Sequence, residues 1–353
     1  MHILHVVGAR PNFMKLAPVL LALQRRSGIQ QTLVHTGQHY DRNLSDVFFT
    51  QLGIPAPDEN LGVGSGSHAR QTADIMSAFE PVVLSRKPDL VLVYGDVNST
   101  VAAALVCSKL LIPIAHVEAG LRSFDRTMPE EINRIVTDRL ADFLFTPSED
   151  GDRNLLHEGA DPQKIHRVGN VMIDSLVRLL PAAMQIPKNG LPDKFALVTL
   201  HRPANVDNGE TLKNILESLL AVSEQLSVVF PVHPRTRARI SQFGISTENL
   251  HLLEPVPYID FLAMQHRSIV VITDSGGIQE ESTYLQVPCL TLRSNTERPI
   301  TVTLGTNTLV GQDGAKLQSE LTAILDGKAK RGLIPPLWDG RSAERIADII
   351  QQL

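Results

Sequence analysis

Three carboxylates stand where a chain of alternating strands and helices displays groups for chemistry. Asp96 follows the apolar run Leu90–Tyr94, Glu118 ends the run from Pro113 to Val117, and Glu130 follows Pro129 at a predicted helix start. Ligands of doubly wound folds bind outside the carboxyl ends of the strands, and more than one acid there suits proton transfer. A second stretch is suited to an anion. The β-branched run Ile269–Ile272 stops at Thr273-Asp274, and Ser275-Gly276-Gly277 precedes a helix predicted from Ile278 through Tyr284. Free backbone N–H groups and the helix dipole make such a turn a phosphate site. Glu280 and Glu281 fall in the first turn of that predicted helix, where they suit the dipole or reach sugar hydroxyls. The plainer alternative is a tight strand–helix turn with capping acids. Thr296-Glu297-Arg298-Pro299, after the strand Pro288–Leu292, brings a cation to the same sheet edge and favours a diphosphate pocket.

Basic turns recur at other strand ends. Gly8-Ala9-Arg10-Pro11 follows the strand Ile3–Val7, with Lys15 near the start of the next helix, and His201-Arg202-Pro203 echoes it after Phe195–Leu200. His233 ends the strand Val228–Val232, and Phe261 lies where a loop enters a helix and offers a ring to stack on a base. Taken as lone residues, these two are more often structural than ligand-binding. One of Glu130 and Glu131 serves only the helix N-terminus. Leu61 to Ser67 is glycine-rich, but no apolar strand precedes it and the spacing is wrong for a dinucleotide loop. His116-Val117-Glu118 lacks the cysteine pair of a zinc deaminase. Phosphate affinity with acid/base groups and no metal motif points to a nucleotide-sugar enzyme that needs no cofactor.

The elements that position these residues are those of an α/β doubly wound fold, since strand and helix patterns alternate throughout. A length of 353 residues suggests about two domains. Residues 1–170 form the first, carrying the acids, and 171–339 the second, with the helix 340–353 packing back on the first; Pro181 to Pro192 contains the linker. Hydrophobic content of 43%, a net charge of -5 and a mean hydropathy near zero describe an ordinary globular protein. No basic excess points to nucleic acid, and no run approaches a membrane helix. The N-terminus reads as a first strand rather than a signal peptide. Cys107 and Cys289 lie in apolar segments and suggest neither a disulfide nor a metal site, which fits a cytoplasmic location.

The ordered set Gly8-Ala9-Arg10-Pro11 with Lys15, Gly95-Asp96, His116 to Arg122, Pro129-Glu130-Glu131, His201-Arg202, Asp274 to Glu281 and Thr296 to Pro299 resembles one family over essentially the whole chain. That family is the non-hydrolysing UDP-N-acetylglucosamine 2-epimerases. The resemblance implies two Rossmann-like domains facing a cleft (the GT-B type), a homodimer, a UDP-sugar substrate and a place in polysaccharide biosynthesis. It implies a reaction in which UDP is eliminated to give 2-acetamidoglucal and added back after carbon 2 is protonated on the other face. By matching positions, Asp96, Glu118 and Glu130 are the acid/base candidates, and His201 stands near the departing diphosphate. Ser275, Gly276 and Gly277 hold phosphate, Glu281 the ribose hydroxyls, and Arg10, Lys15 and Arg298 supply cations.

Some positions depart from the pattern. Pro203-Ala204-Asn205 follows His201-Arg202 where better-known members continue Glu-Ser/Asn, and Val256 replaces a glutamine near the uracil. Those members have a regulatory second substrate site. Gln38 and His233 match it, but Asp41 and Asp74 stand in place of a glutamine and an arginine. His35-Thr36-Gly37-Gln38-His39-Tyr40 also resembles the branch acting on diacetamido-uronic acid sugars, although Arg298-Pro299 is kept. A GT-B glycosyltransferase and a non-catalytic UDP-sugar sensor are the rival readings; neither needs three acids together with a histidine.

Overall fold

The computed structural model describes residues 1–38, 51–188 and 190–353, the side chain of Arg10 excepted. The chain divides into two compact units, Met1–Ser175 with Pro336–Leu353, and Leu176–Pro335. The first is built on seven strands: β1 (His2–Val7), β2 (Gln30–His35), β3 (Glu59–Asn60), β4 (Leu90–Tyr94), β5 (Ile114–Val117), β6 (Phe143–Thr146) and β7 (Ile165–Arg167). They are parallel and lie in the order β3-β2-β1-β4-β5-β6-β7. Runs such as Leu90–Tyr94 are apolar at every position because helices cover both faces of the sheet, and all five of those residues are buried. The strand order turns at β1 and β4, and the carboxyl ends there are the first place a ligand crevice forms.

The second unit repeats the plan with β8 (Phe195–Thr199), β9 (Ser227–Pro231), β10 (Leu250–Leu253), β11 (Val270–Thr273), β12 (Cys289–Thr291) and β13 (Asn307–Leu309). These are parallel in the order β10-β9-β8-β11-β12-β13, with the turn-round at β8 and β11. Thr199 and Thr273 pair at that point, and their hydroxyls lie 2.9 Å apart. Two Rossmann-like units of this kind are the GT-B class. No helix among the described residues is long and apolar enough to cross a membrane.

Three details differ from the sequence reading. The helix after β11 spans Gly276–Leu285, so both glycines lie inside its first turn. Glu280 and Glu281 consequently fall beyond that turn. Pro181 sits within the helix Val171–Met184, in place of opening a linker, and the division between the units falls within that helix.

The C-terminal helix Ser342–Ile350 belongs to the first unit and packs against the helix Arg10–Gln24, burying Ile346, Ala347 and Ile350. Its first-turn N–H groups have no side-chain cap from the preceding residue, Arg341. Asp174, distant in sequence, accepts from the Ser342 N–H at 3.1 Å and the Ala343 N–H at 2.6 Å. Removing a cap of this kind costs about 1–2 kcal/mol. Asp174→Ala should therefore lower stability by about that amount in urea denaturation; an unchanged midpoint would show that the helix is held by packing alone.

Candidate functional site

In the first unit Asp96 and Glu118 stand just after β4 and β5, and Glu130 in the first turn of the helix Pro129–Leu140, each in a different setting. Gly95 follows β4 with a φ of +64°, and a Cβ there would lie 2.6 Å from Lys15 Nζ and 3.3 Å from Glu118 Oε2. That bare turn leaves room for a buried ion pair between Lys15 and Glu118. Glu118 itself has a φ of +77°. A left-handed backbone costs a residue with a Cβ about 1–2 kcal/mol, and such strain gathers at functional positions. Two successive N–H groups, of Glu118 and Ala119, share the Phe145 carbonyl at 3.1 and 3.0 Å, which fixes the bend. Two residues before Glu118, His116 is fully buried. Its Nδ1 lies 2.6 Å from Asp138 Oδ1 and its Nε2 2.8 Å from the Gly95 carbonyl, tying the ends of β4 and β5 together. Burial alone would raise the Asp138 carboxyl, but His116 and Arg122 hold it below the usual carboxylate range.

Asp96 is partly exposed and ion-paired with Arg134, a buried guanidinium that also pairs with Glu131. Glu131 is a clamp. It accepts from Ser123 N at 3.0 Å, Ser123 Oγ at 2.9 Å and Phe124 N at 2.8 Å, and so shapes the loop before the helix Pro129–Leu140. Glu130, its neighbour, is half-buried and makes no hydrogen bond or ion pair with any described residue. The two adjacent acids thus sort into one that builds the loop and one with no such structural task among the described residues.

Arg10 opens the helix Arg10–Gln24, but its side chain lies outside the described residues, as does Asp41. Gln38 is occupied within the unit: its Oε1 accepts from Ser99 N at 3.1 Å and Ser99 Oγ at 2.7 Å. Asp74 accepts from Arg70 Nε at 2.8 Å. Beside the helix Pro129–Leu140, a cavity of about 680 Å³ opens among Ile135, Asp138, Arg139, Leu144 and Leu155, and none of the three acids lines it.

In the second unit the turns after β8 and β11 lie side by side. His201, after β8, has a half-exposed ring whose Nδ1 is 3.0 Å from Asp274 Oδ1. Asp274, after β11, is wholly buried and also accepts from the backbone N–H groups of His201 and Arg202. Ser275 precedes the helix Gly276–Leu285 without capping it through its side chain, so the first-turn N–H groups of Gly276 and Gly277 are not used by that hydroxyl. A Cβ at Gly276 would collide with the Arg298 guanidinium and lie 2.6 Å from Glu297 Oε1. Arg298, expected as an open cation, is buried between Glu297 and Glu280, with its Nε 2.9 Å from Glu280 Oε1. Arg293 lies 2.7 Å and Arg202 3.6 Å from Glu297, so three guanidinium groups converge on one carboxylate. Burial would raise Glu297, yet Arg298 and Arg293 hold it far below the usual range. Arg202 is the most exposed of the three. Burial and the neighbouring Arg293 lower its affinity for the proton. The sequence reading names Arg298 as a cation, gives Asp274 and Arg202 no role beyond the motifs that contain them, and does not mention Arg293; the echo between the two basic turns is the signal for Arg202.

Glu281 is buried, with Tyr258 Oη donating to Oε1 at 2.8 Å. The Gln265 amide, in the orientation that satisfies both its ends, donates to Oε2 at 3.0 Å. Burial pushes the Glu281 carboxyl up to about 7, with Tyr258 opposing and Glu280 adding to the rise. Phe261 is half-buried against the apolar cluster of Phe195, Leu197, Val229 and Val271.

The raised Glu281 carboxyl has a stability consequence of definite sign. From about pH 4.5 to 7 the folded protein holds a proton that the unfolded chain has lost, so stability falls as pH rises through that window. Glu281→Gln removes this dependence. Between pH 5 and 8 the unmodified protein should lose on the order of 2–3 kcal/mol more than the variant in denaturant melts; parallel pH profiles would contradict the burial of an ionisable Glu281.

A family model described as UDP-N-acetylglucosamine 2-epimerase matches residues 21–351. The UDP-N-acetylglucosamine 2-epimerase of Methanocaldococcus jannaschii is 43% identical, over 98% of this chain and 97% of its own. The UDP-2,3-diacetamido-2,3-dideoxy-D-glucuronate 2-epimerase of Pseudomonas aeruginosa is 42% identical, with both chains covered in full. Among solved structures, that of the M. jannaschii enzyme in complex with UDP-GlcNAc and UDP superposes with a TM-score of 0.93 at 43% identity, again over the whole of both chains.

Proposed function

The chain belongs to the UDP-N-acetylglucosamine 2-epimerase family, and on that footing we propose that it interconverts UDP-N-acetylglucosamine and UDP-N-acetylmannosamine. The observation that carries the reading is the set of three acids in three settings. Asp96 rests on Arg134, Glu118 on Lys15, and Glu130 on no described residue. Carbon 2 of the sugar has no adjacent carbonyl, so its proton is not acidic in the ground state. Elimination solves this: the C1–O bond breaks with its electron pair leaving on UDP, and a base takes the C2 proton, giving 2-acetamidoglucal. Re-addition reverses both events, with the proton delivered to the opposite face. Acid/base groups on two faces are needed, and one carboxylate would not suffice.

In this reading Asp96, Glu118 and Glu130 share the proton transfers, and His201 meets the growing charge on the departing diphosphate. Backbone N–H groups at Ser275, Gly276 and Gly277 take the phosphates, backed by Arg298 and its neighbours. Arg10 and Lys15 add positive charge, Glu281 takes the ribose hydroxyls, and Phe261 lies along the base. The reading carries with it a homodimer that works in the cytoplasm and supplies sugars for polysaccharide assembly, as the family pattern implies. A second substrate, a UDP-diacetamido-uronic acid sugar, is favoured by the P. aeruginosa relative and by the His35 to Tyr40 stretch. Both substrates present the same C1–C2 chemistry.

Incubation with each UDP-sugar in deuterated water separates the readings. The epimerase exchanges the C2 hydrogen of UDP-N-acetylglucosamine for deuterium in both epimers; exchange only with the uronic acid sugar selects the second substrate, and none with either removes the epimerase. Asp96→Asn, Glu118→Gln and Glu130→Gln should each slow turnover by at least roughly a hundredfold, the usual worth of one acid/base group. Near-normal turnover would take that residue out of the mechanism.

Kinetics in the substrate bear on the regulatory site. Gln38 Oε1 already accepts from Ser99 and Asp74 pairs with Arg70, so a second sugar would compete with contacts made within the unit. Initial rates should follow a simple hyperbola in UDP-N-acetylglucosamine. The reverse reaction should likewise start from UDP-N-acetylmannosamine alone. A lag relieved by adding the other epimer would contradict this.

A further inference from the structure

We propose that Asp274 is a positioning residue for His201: it fixes the imidazole with the hydrogen on Nδ1 and presents Nε2 for the reaction. This inference rests on the epimerase reading for what Nε2 does, and on geometry alone for how the ring is held.

Register places Asp274 beside His201. Thr273 pairs with Thr199 across β11 and β8, and the two strand ends run on together. The carboxylate gathers five contacts. Oδ1 takes His201 Nδ1 at 3.0 Å and the His201 N–H at 3.2 Å; Oδ2 takes the N–H groups of His201 at 3.1 Å and Arg202 at 3.0 Å, and Asn205 Nδ2 at 3.1 Å. Asn205 is itself buried and gives its Nδ2 to the Leu292 carbonyl at 3.1 Å, so the carboxylate's support is fixed in turn. A wholly buried carboxyl would favour the neutral form, but these donors, His201 foremost, hold it below the usual carboxylate range. Asp274 is therefore ionised and can only accept.

The tautomer follows. A ring nitrogen that faces a carboxylate at hydrogen-bond distance carries the hydrogen, which leaves Nε2 as the nitrogen that exchanges protons or meets charge. His201 is half-exposed, and an imidazole without this contact would be free to turn about its side-chain bonds. Three of the carboxylate's contacts go to backbone N–H groups, and these define the structural rival, in which Asp274 merely anchors the turn. What the rival lacks is a reason for Oδ1 to engage the ring. It also predicts that losing Asp274 disturbs the adjacent phosphate-binding turn at Ser275, and with it UDP affinity.

Long-range ¹H–¹⁵N spectra of the unmodified protein at pH 8 report the tautomer directly. The expected result is a protonated Nδ1 and a bare Nε2 at His201; the reverse tautomer overturns the proposal, whether or not Asp274 variants fold. Kinetics then test its consequence. Asp274→Asn should lower kcat by roughly thirtyfold or more while KM and the Kd for UDP stay within about threefold. In a His201→Asn background the same change should cost less than about threefold, because a residue that acts through His201 has nothing left to act on. Multiplying losses, or a parallel fall in UDP affinity, would make Asp274 a turn anchor and overturn the proposal. Failure of the C2 deuterium exchange would remove the epimerase reading instead, and the ring tautomer would still decide how His201 is held.

Discussion

A carboxylate withdrawn from water at the end of a parallel strand must be met by donors, and much of both units follows from how that is done. Glu118 is met by Lys15, in a space that a side chain at Gly95 would fill, while His116 ties the ends of β4 and β5 together. Asp274 is met by one imidazole, two backbone N–H groups and an amide, and these draw the two turns of the second unit together. Glu297 is met by three arginines, and the helix Gly276–Leu285 begins with glycine so that one of them can pass. A parallel sheet suits this work because its strands all end at the same edge, so groups far apart in sequence become neighbours there.

The two units use that edge differently. The first offers acids in graded settings, from a strained and buried Glu118 to an unoccupied Glu130. The second concentrates positive charge around a glycine-led helix start. That division fits a reaction in which a proton moves at carbon and a diphosphate leaves and returns. A glycosyltransferase on the same fold would have use for the second set and little for the first. A binding protein without catalysis would have no need of a left-handed backbone at Glu118, since that strain lowers stability and a ligand is bound as well by a relaxed carboxylate.

Much of this was legible in the chain because strand ends are visible in apolar runs. Leu90–Tyr94 places Asp96, and Pro129 places Glu130, without any tertiary information. The partners of ionised groups were not legible. Nothing in the local sequence says that Arg298 is enclosed by Glu297 and Glu280, or that Arg134 bridges Glu131 and Asp96, because such pairs join residues brought together only by folding. The left-handed Glu118 was equally hidden, since a positive φ announces itself only where a glycine stands. The glycines at 276 and 277 point the other way: they read as a break before a helix, whereas both lie inside its first turn, and the bare Gly276 makes room there for Arg298 and Glu297. Pro181, which reads as the start of a linker, lies within the helix Val171–Met184, so a proline in the chain does not by itself mark a helix end.

The central claim is that UDP departs from carbon 1 and returns during every inversion. Positional isotope exchange tests it most directly. UDP-N-acetylglucosamine labelled with ¹⁸O in the bridge between carbon 1 and the diphosphate would be incubated with the protein and followed by ³¹P NMR. Free UDP held at the site can turn its terminal phosphate before re-adding, so the account predicts that the label appears in non-bridging positions as the epimers interconvert. Full inversion at carbon 2 with the label still wholly in the bridge would contradict it.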